Sequence, residues 1–207
     1  MNLLVCGPRG LYRPVGLVLL MVQLGCAGLS LPRALLTDGL SASTFPDAGA
    51  VVLEDEATLE FRVMQVPNVK PATKRLVAVL DHRRRMKILR ETGLAQANVR
   101  MPVDGFTTVL RVVGRSVAPD GSETWMSPRS LHLVDRKEVD ARAPEVVDLN
   151  FEIPGAQVGG LVEYRYERVF LDPALVPVYL FGAAIPVVHS ELGIVTDPEV
   201  KLDYRFG

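Results

Sequence analysis

The stretch from Arg75 to Leu89 constrains this chain more than any other. One set of alternate positions reads Leu76, Ala78, Leu80, His82, Arg84, Met86 and Ile88. The other reads Arg75, Val77, Val79, Asp81, Arg83, Arg85, Lys87 and Leu89. Successive side chains of a β-strand point to opposite faces, so this spacing gathers most of the charge on one face and most of the apolar groups on the other. A helix would scatter Arg83, Arg84 and Arg85 around its axis. The segment is therefore read as a strand. Leu80, Met86 and Ile88 are expected to face a core, and Arg83, Arg85 and Lys87 to face solvent or acidic partners.

The rest of the chain from Asp47 follows the same logic. Strands are expected over Ala50 to Val63, Phe106 to Val117, Glu123 to Met126, Leu131 to Val134, Val146 to Ile153, Gly160 to Leu171, Val187 to Val195 and Val200 to Phe206. Gln65 to Thr73 carries Pro67 and Pro71 and reads as a hairpin connection. Pro119-Asp120-Gly121-Ser122 supplies a turn, because Pro presets φ and Gly tolerates a positive φ. Gly155, Gly159 and Gly160 read as turn and bulge glycines, since no phosphate-loop Lys follows them. Strands recur at short intervals with no long amphipathic helix. The expected fold is all-β, an antiparallel β-sandwich.

Ahead of this domain lies an address. Arg9 and Arg13 precede an apolar run from Val15 to Leu24, and small residues follow at Gly25, Ala27 and Gly28. This is the order of a secretory signal peptide, and the run is about half the ~20 residues a membrane-spanning helix needs. Gly25-Cys26 fits the end of a bacterial lipoprotein signal, with Cys26 as the lipidated residue, although Gln23 stands where that pattern usually has Leu. Cleavage after Gly28 is the rival outcome. The layout is a signal peptide over residues 1–25, a tether over 26–46 and a β-sandwich domain over 47–207. The expected location is exported, in the periplasm or at the outer membrane, with contact to the membrane through a lipid anchor only.

Charge narrows the partners. Lys plus Arg is 23 against 24 Asp plus Glu, and both basic residues of the leader leave with it. The exported chain is thus mildly acidic, with no electrostatic reason to seek nucleic acid. Cysteine occurs only at Cys6 and Cys26, so the domain has no disulfide and no thiol nucleophile.

Several segments together resemble a known module. Asp47-Ala48-Gly49-Ala50-Val51-Val52-Leu53, His82 through Leu89, Glu91-Thr92-Gly93 and Pro119-Asp120-Gly121 occur in its order. So do Phe151-Glu152-Ile153-Pro154-Gly155, Gly159, Val162-Glu163-Tyr164-Arg165-Tyr166, Pro186-Val187-Val188-His189-Ser190 and Pro198. The module is the N-terminal β-sandwich domain of unknown function found in bacterial transglutaminase-like proteins. The resemblance implies a fold and a transglutaminase-like associate. The family's sandwich usually continues further and is followed by a catalytic core, whose Cys, His and Asp have no counterparts here. The domain is therefore expected to be C-terminally incomplete relative to the family. Its closing strand, Val200 to Phe206, would then leave an edge open to strand addition from a partner or a second copy.

Few residues suggest chemistry. His82, His132 and His189 lie at least 50 residues apart in sequence, unlike the clustered ligands of zinc sites. His82, beside three arginines, reads as a packed or hydrogen-bonded residue. Ser190 adjoins His189, but neighbours on a strand face opposite ways and make a poor dyad. Glu54-Asp55-Glu56 reads as a solvated strand edge rather than a calcium or glycosidase site. Glu163 reads as a charge partner of Arg83 or Arg85, a cross-strand pair worth roughly 0.2–1 kcal/mol. Trp125, Tyr164, Tyr166, Tyr179 and Phe181 are mostly assigned to the core, with a glycan platform as the other use. No catalytic, cofactor or metal site is expected. The expected function is a non-catalytic, envelope-associated interaction module. The alternatives are a fragment of a transglutaminase-like enzyme, a cryptic hydrolase, or a glycan-binding domain.

Overall fold

A computed structural model describes residues 40–65, 74–135, 146–201 and 203. Its strands are β1 (Ala50–Gln65), β2 (Lys74–Ile88), β3 (Asn98–Val103), β4 (Thr107–Val117), β5 (Glu123–Trp125), β6 (Leu131–Asp135), β7 (Val147–Glu152), β8 (Leu161–Phe170) and β9 (Ser190–Thr196). They form a six-stranded sheet, ordered β5-β4-β8-β2-β1-β9, and a three-stranded sheet, ordered β3-β7-β6. The all-β sandwich expected from the two-residue periods is thus present. No helix among the described residues is long and apolar enough to cross a membrane.

The sandwich departs from the antiparallel expectation at one place. β9 runs parallel to β1, with Asp55 opposite Ser190 and Phe61 opposite Thr196. Parallel neighbours require a crossover of a dozen or more residues. Residues 171–189 provide it, leaving β8 and passing β2 and β1 before β9 begins. Val200, Lys201 and Asp203 are not in a strand, and the remainder of the expected closing strand lies outside the described residues. So do the signal peptide, Cys26 and residues 66–73 of the hairpin connection.

The core forms where the two sheets face each other. Ala50, Val52, Met86, Ile88, Val112 and Val162 of the large sheet meet Met101, Val103, Leu149, Phe151 and Ile153 of the small sheet and its flanks. A bulge between Val52 and Glu54 resets the phase of β1. Val52 therefore faces the core, and so does Asp55 rather than Glu54. β3 has no expected counterpart. It is short, carries Pro102 and lies at a sheet edge, the place where a strand tolerates Pro. The chain reaches it through a 3-10 turn over Glu91–Ala97. There Gly93 lies so close to Gly49 that a Cβ would sit 2.1 Å from the Gly49 carbonyl oxygen.

Packing begins before Asp47. Leu40, Ala42 and Phe45 lie against Val51, Leu53, Leu89 and Leu161 on the outer face of the large sheet. Arg90 fixes them by donating to the Phe45 and Ala42 carbonyls at 3.0 and 2.7 Å. The last residues of the expected tether are therefore part of the packed structure.

Candidate functional site

The large sheet is longer than the small one, and the two ends of its inner face are covered differently. Beyond Met86 and Val162 the next inward rungs are Asp55–Arg84–Tyr164, Ala57–His82–Tyr166 and Leu59–Leu80–Arg168. The crossover, with Val176 and Tyr179 against this region, lies over it. Between sheet and crossover is a cleft of about 370 Å³, with Asp55, His82, Arg84, Tyr166 and Arg168 in its walls.

Asp55 organises the floor. Its side chain is 1% exposed. One oxygen contacts His82 Nε2 at 2.5 Å, and the other accepts from Arg84 Nη2 at 2.5 Å. Burial pushes this carboxyl toward neutrality, but the hydrogen bonds and charges of His82 and Arg84 outweigh it and hold it below the usual carboxylate range. Burial likewise opposes the charge on Arg84, which the Asp55 partnership raises above its ordinary value. The imidazole of His82 sits edge-on to Tyr166, ring centres 5.0 Å apart, and to Tyr164 and Tyr179 at 6.5 and 6.3 Å. Burial pushes the Tyr166 phenol up to about 12 and raises Tyr164 and Tyr179, so all three remain uncharged donors at neutral pH.

The crossover is pinned at Tyr179. Its single O–H is shared between the backbone carbonyls of Asp55 at 2.9 Å and Glu191 at 3.1 Å. Around it the surface is apolar. Val178, Leu180 and Phe181 are 84, 70 and 62% exposed, and Val188, Ile194 and Val195 are about half exposed.

The outer face of the large sheet carries a different network. Glu163 is fully buried and lies between two arginines, accepting from Arg85 Nε and from Arg115 Nε at 2.7 Å. Arg85 also reaches Glu54 at 2.9 Å, and Arg115 reaches Glu123 at 2.8 Å. The expected Glu163–Arg85 pair is present, but it is a desolvated core element rather than an exposed surface pair.

The histidines do not meet. His82 is on the cleft floor, His132 is exposed on β6, and His189 is exposed and pairs with Glu191 at 3.3 Å. Ser190 lies 3.4 Å from the Tyr179 hydroxyl instead of joining His189. The reading of Glu54-Asp55-Glu56 as a solvated edge is overturned. β1 is paired on both sides, Asp55 is buried, and Glu54 and Glu56 bind Arg83 and Arg85. Among the aromatics, Tyr164 is buried and Tyr166 and Tyr179 half-buried, whereas Trp125 and Phe181 are exposed. Trp125 lies under the Arg115 guanidinium at 5.3 Å.

The periodicity carries a signal for the cleft. His82, Arg84 and Arg168 are charged or polar residues on otherwise apolar faces of β2 and β8. Asp55 gave no such signal, because the bulge changes its face.

Comparison with known proteins supports the fold. No protein-family model matches the chain, and no curated protein matches it. Among solved structures, the chain is similar to a proposed protease from Parabacteroides distasonis ATCC 8503. The TM-score is 0.55 and the identity 11%, over 72% of this chain. The match spans 29% of the length of that protein. At this identity the likeness is one of fold alone.

Proposed function

We propose that this chain is a non-catalytic, envelope-associated β-sandwich module that binds a protein partner by strand addition at β9. The transglutaminase-like association suggested by Asp47 to Pro198 makes a transglutaminase-like protein the candidate partner, and the leader with Cys26 makes a lipid-anchored exported location its setting.

The observation that carries this reading is the free backbone edge of β9. Its ladder with β1 is bracketed by bonds from Asp55 N to the His189 carbonyl and from Asp197 N to the Phe61 carbonyl. With a two-residue period, the odd-numbered residues bond to β1, and the N–H groups of Leu192 and Ile194 point away from it. No strand pairs with that side among the described residues. Exposed Ile194 and Val195, with Val178, Leu180 and Phe181 nearby in the chain's crossover, give an added strand apolar surface to cover.

A hydrolase is the second reading, favoured by the Asp55–His82 contact. Against it, His82 Nδ1 has no hydrogen-bond partner among the described residues, so no hydroxyl nucleophile from them is joined to this pair.

The test places a photo-crosslinking residue at Ile194 in the exported chain, within cells. The expected product is a heterodimer with a transglutaminase-like protein. Ile194→Pro removes an outward N–H and no bond to β1, so it should abolish a partner bound along this edge. A chain that stays monomeric and forms no crosslink would overturn the reading.

A further inference from the structure

Among the described residues, three buried nitrogen atoms of cleft-lining side chains have no hydrogen-bond partner. They are Nδ1 of His82, Nε of Arg84 and Nε of Arg168. They belong to three successive inward rungs of β2 and β8. Diagonal neighbours on such a face are about 7–8 Å apart, the spacing of His82 and Arg168, while Arg84 lies one rung further from Arg168. Buried polar groups are normally satisfied, and a cluster of exceptions within one cleft asks for a missing partner.

Arg168 tells the sign of that partner. The residue is 8% exposed. Its Nη2 donates to the Pro102 carbonyl at 2.9 Å, and its guanidinium lies 4.9 Å from the Phe170 ring centre. Neither these contacts nor its side-chain hydrogen bond with the uncharged Tyr166 phenol neutralises its charge. Among the described residues no carboxylate forms an ion pair with it, and Asp104 acts on it only through space. Arg84, in contrast, is neutralised by Asp55. The cleft therefore contains one uncompensated buried cation, beside the uncharged phenol of Tyr166. A buried charge is costly unless it is paired. The remaining walls are apolar, with Val176, Leu180 and Leu192 among them.

We infer that this cleft is a carboxylate-binding site, which takes a small monocarboxylate with an apolar body. The carboxylate pairs with Arg168, and the body lies against Val176, Leu180 and Leu192. A volume of about 370 Å³ is at the small end for ligand pockets and suits such a molecule. Nε2 of His82 is engaged by Asp55, which leaves Nδ1 to meet a polar group of the ligand. The C-terminus of an apolar peptide supplies carboxylate, N–H and apolar side chain. A short alkanoate supplies the first and last. The inference stands apart from strand addition at β9, because it concerns the inner face.

The test is a titration of the full chain, followed by backbone amide resonances, with N-acetyl-leucyl-leucine, hexanoate and uncharged hexanamide. Both acids should saturably shift residues 80–84, 166–170 and 176–180, and hexanamide should not. Tighter binding of the dipeptide assigns a peptide C-terminus as the source, and tighter binding of hexanoate assigns an alkanoate. Arg168→Gln should weaken either acid by at least about tenfold. Absence of saturable shifts with both acids would overturn the inference. So would equal binding of hexanamide and hexanoate, or shifts confined to Arg100 and His132 on the small sheet. Should Arg168→Gln fail to fold, the comparison of acid with amide on the unaltered chain decides alone.

Discussion

At the scale of single residues, two charged clusters on opposite faces of one sheet behave differently. Glu163 is fully buried between Arg85, 1% exposed, and Arg115, 5% exposed. Removing one member of such a set leaves its partners charged and dry, which costs about 3–5 kcal/mol. Glu163→Gln and Arg85→Gln should each lower unfolding stability by that order in denaturant titrations. Arg83→Gln should cost below ~1 kcal/mol, because Arg83 and its partners Glu54 and Glu56 reach solvent. Equal losses at Arg83 and Arg85 would refute the distinction. On the inner face, Asp55 provides a pH-dependent contribution. Its folded-state pKa is held below the ordinary value of about 3.9, despite the opposing push of burial. The stabilisation it gives is complete above that ordinary value and fades as pH falls through the lower folded one. Asp55→Asn should therefore lower stability at pH 7, and the loss relative to the unaltered chain should shrink below pH 4. A loss that is constant from pH 7 to pH 3 would count against this role.

At the scale of elements, the strands were legible because their periods are strong and their ends are punctuated. β2 and β8 show clean alternation, and Pro119 to Ser122 turns the chain between β4 and β5 with Gly121 at φ +87°. β3 was not legible, since Asn98–Val103 is a short edge strand with Pro at its fifth position. Nor was the face of Asp55, because a single bulge residue reverses the inward set of β1 and nothing in Val52-Leu53-Glu54 marks where it falls. The three arginines of β2 illustrate the same limit from another side. Their alternation showed that Arg84 opposes Arg83 and Arg85. Whether each is dry or wet depends on what the fold brings against it: Glu163 from β8 for Arg85, and the crossover for Arg84. The parallel β9 was hidden for a related reason. A strand's composition reports how buried its faces are, while its direction is set by the length and path of the connection before it.

At the scale of the whole molecule, the long sheet is held from its inner side by two unlike covers. Under the small sheet lies a close-packed apolar core from Ala50 to Phe151. Under residues 171–189 lie a cleft and a buried ion cluster, with few apolar anchors and several exposed apolar side chains above. The crossover should therefore open at lower free energy than the sandwich unfolds, since regions with few buried contacts open first. Its last residues are tied to β1 by backbone bonds at Pro186, Val188 and His189, and over residues 175–183 Tyr179 is the side-chain anchor, reaching the carbonyls of Asp55 and Glu191. Tyr179→Phe keeps the ring against Phe181 at 4.9 Å and removes only the hydroxyl. Both carbonyls keep their places in the β1–β9 ladder, so the loss is the one shared hydroxyl hydrogen bond, worth about 0.5–1.5 kcal/mol. Local opening of residues 175–183 should become up to roughly tenfold more frequent, while Met86, Ile88 and Val162 retain their protection. Native-state hydrogen exchange would resolve the two. If the substitution lowers protection equally in the crossover and in the core strands, the two covers unfold as one unit and this division of the molecule is wrong.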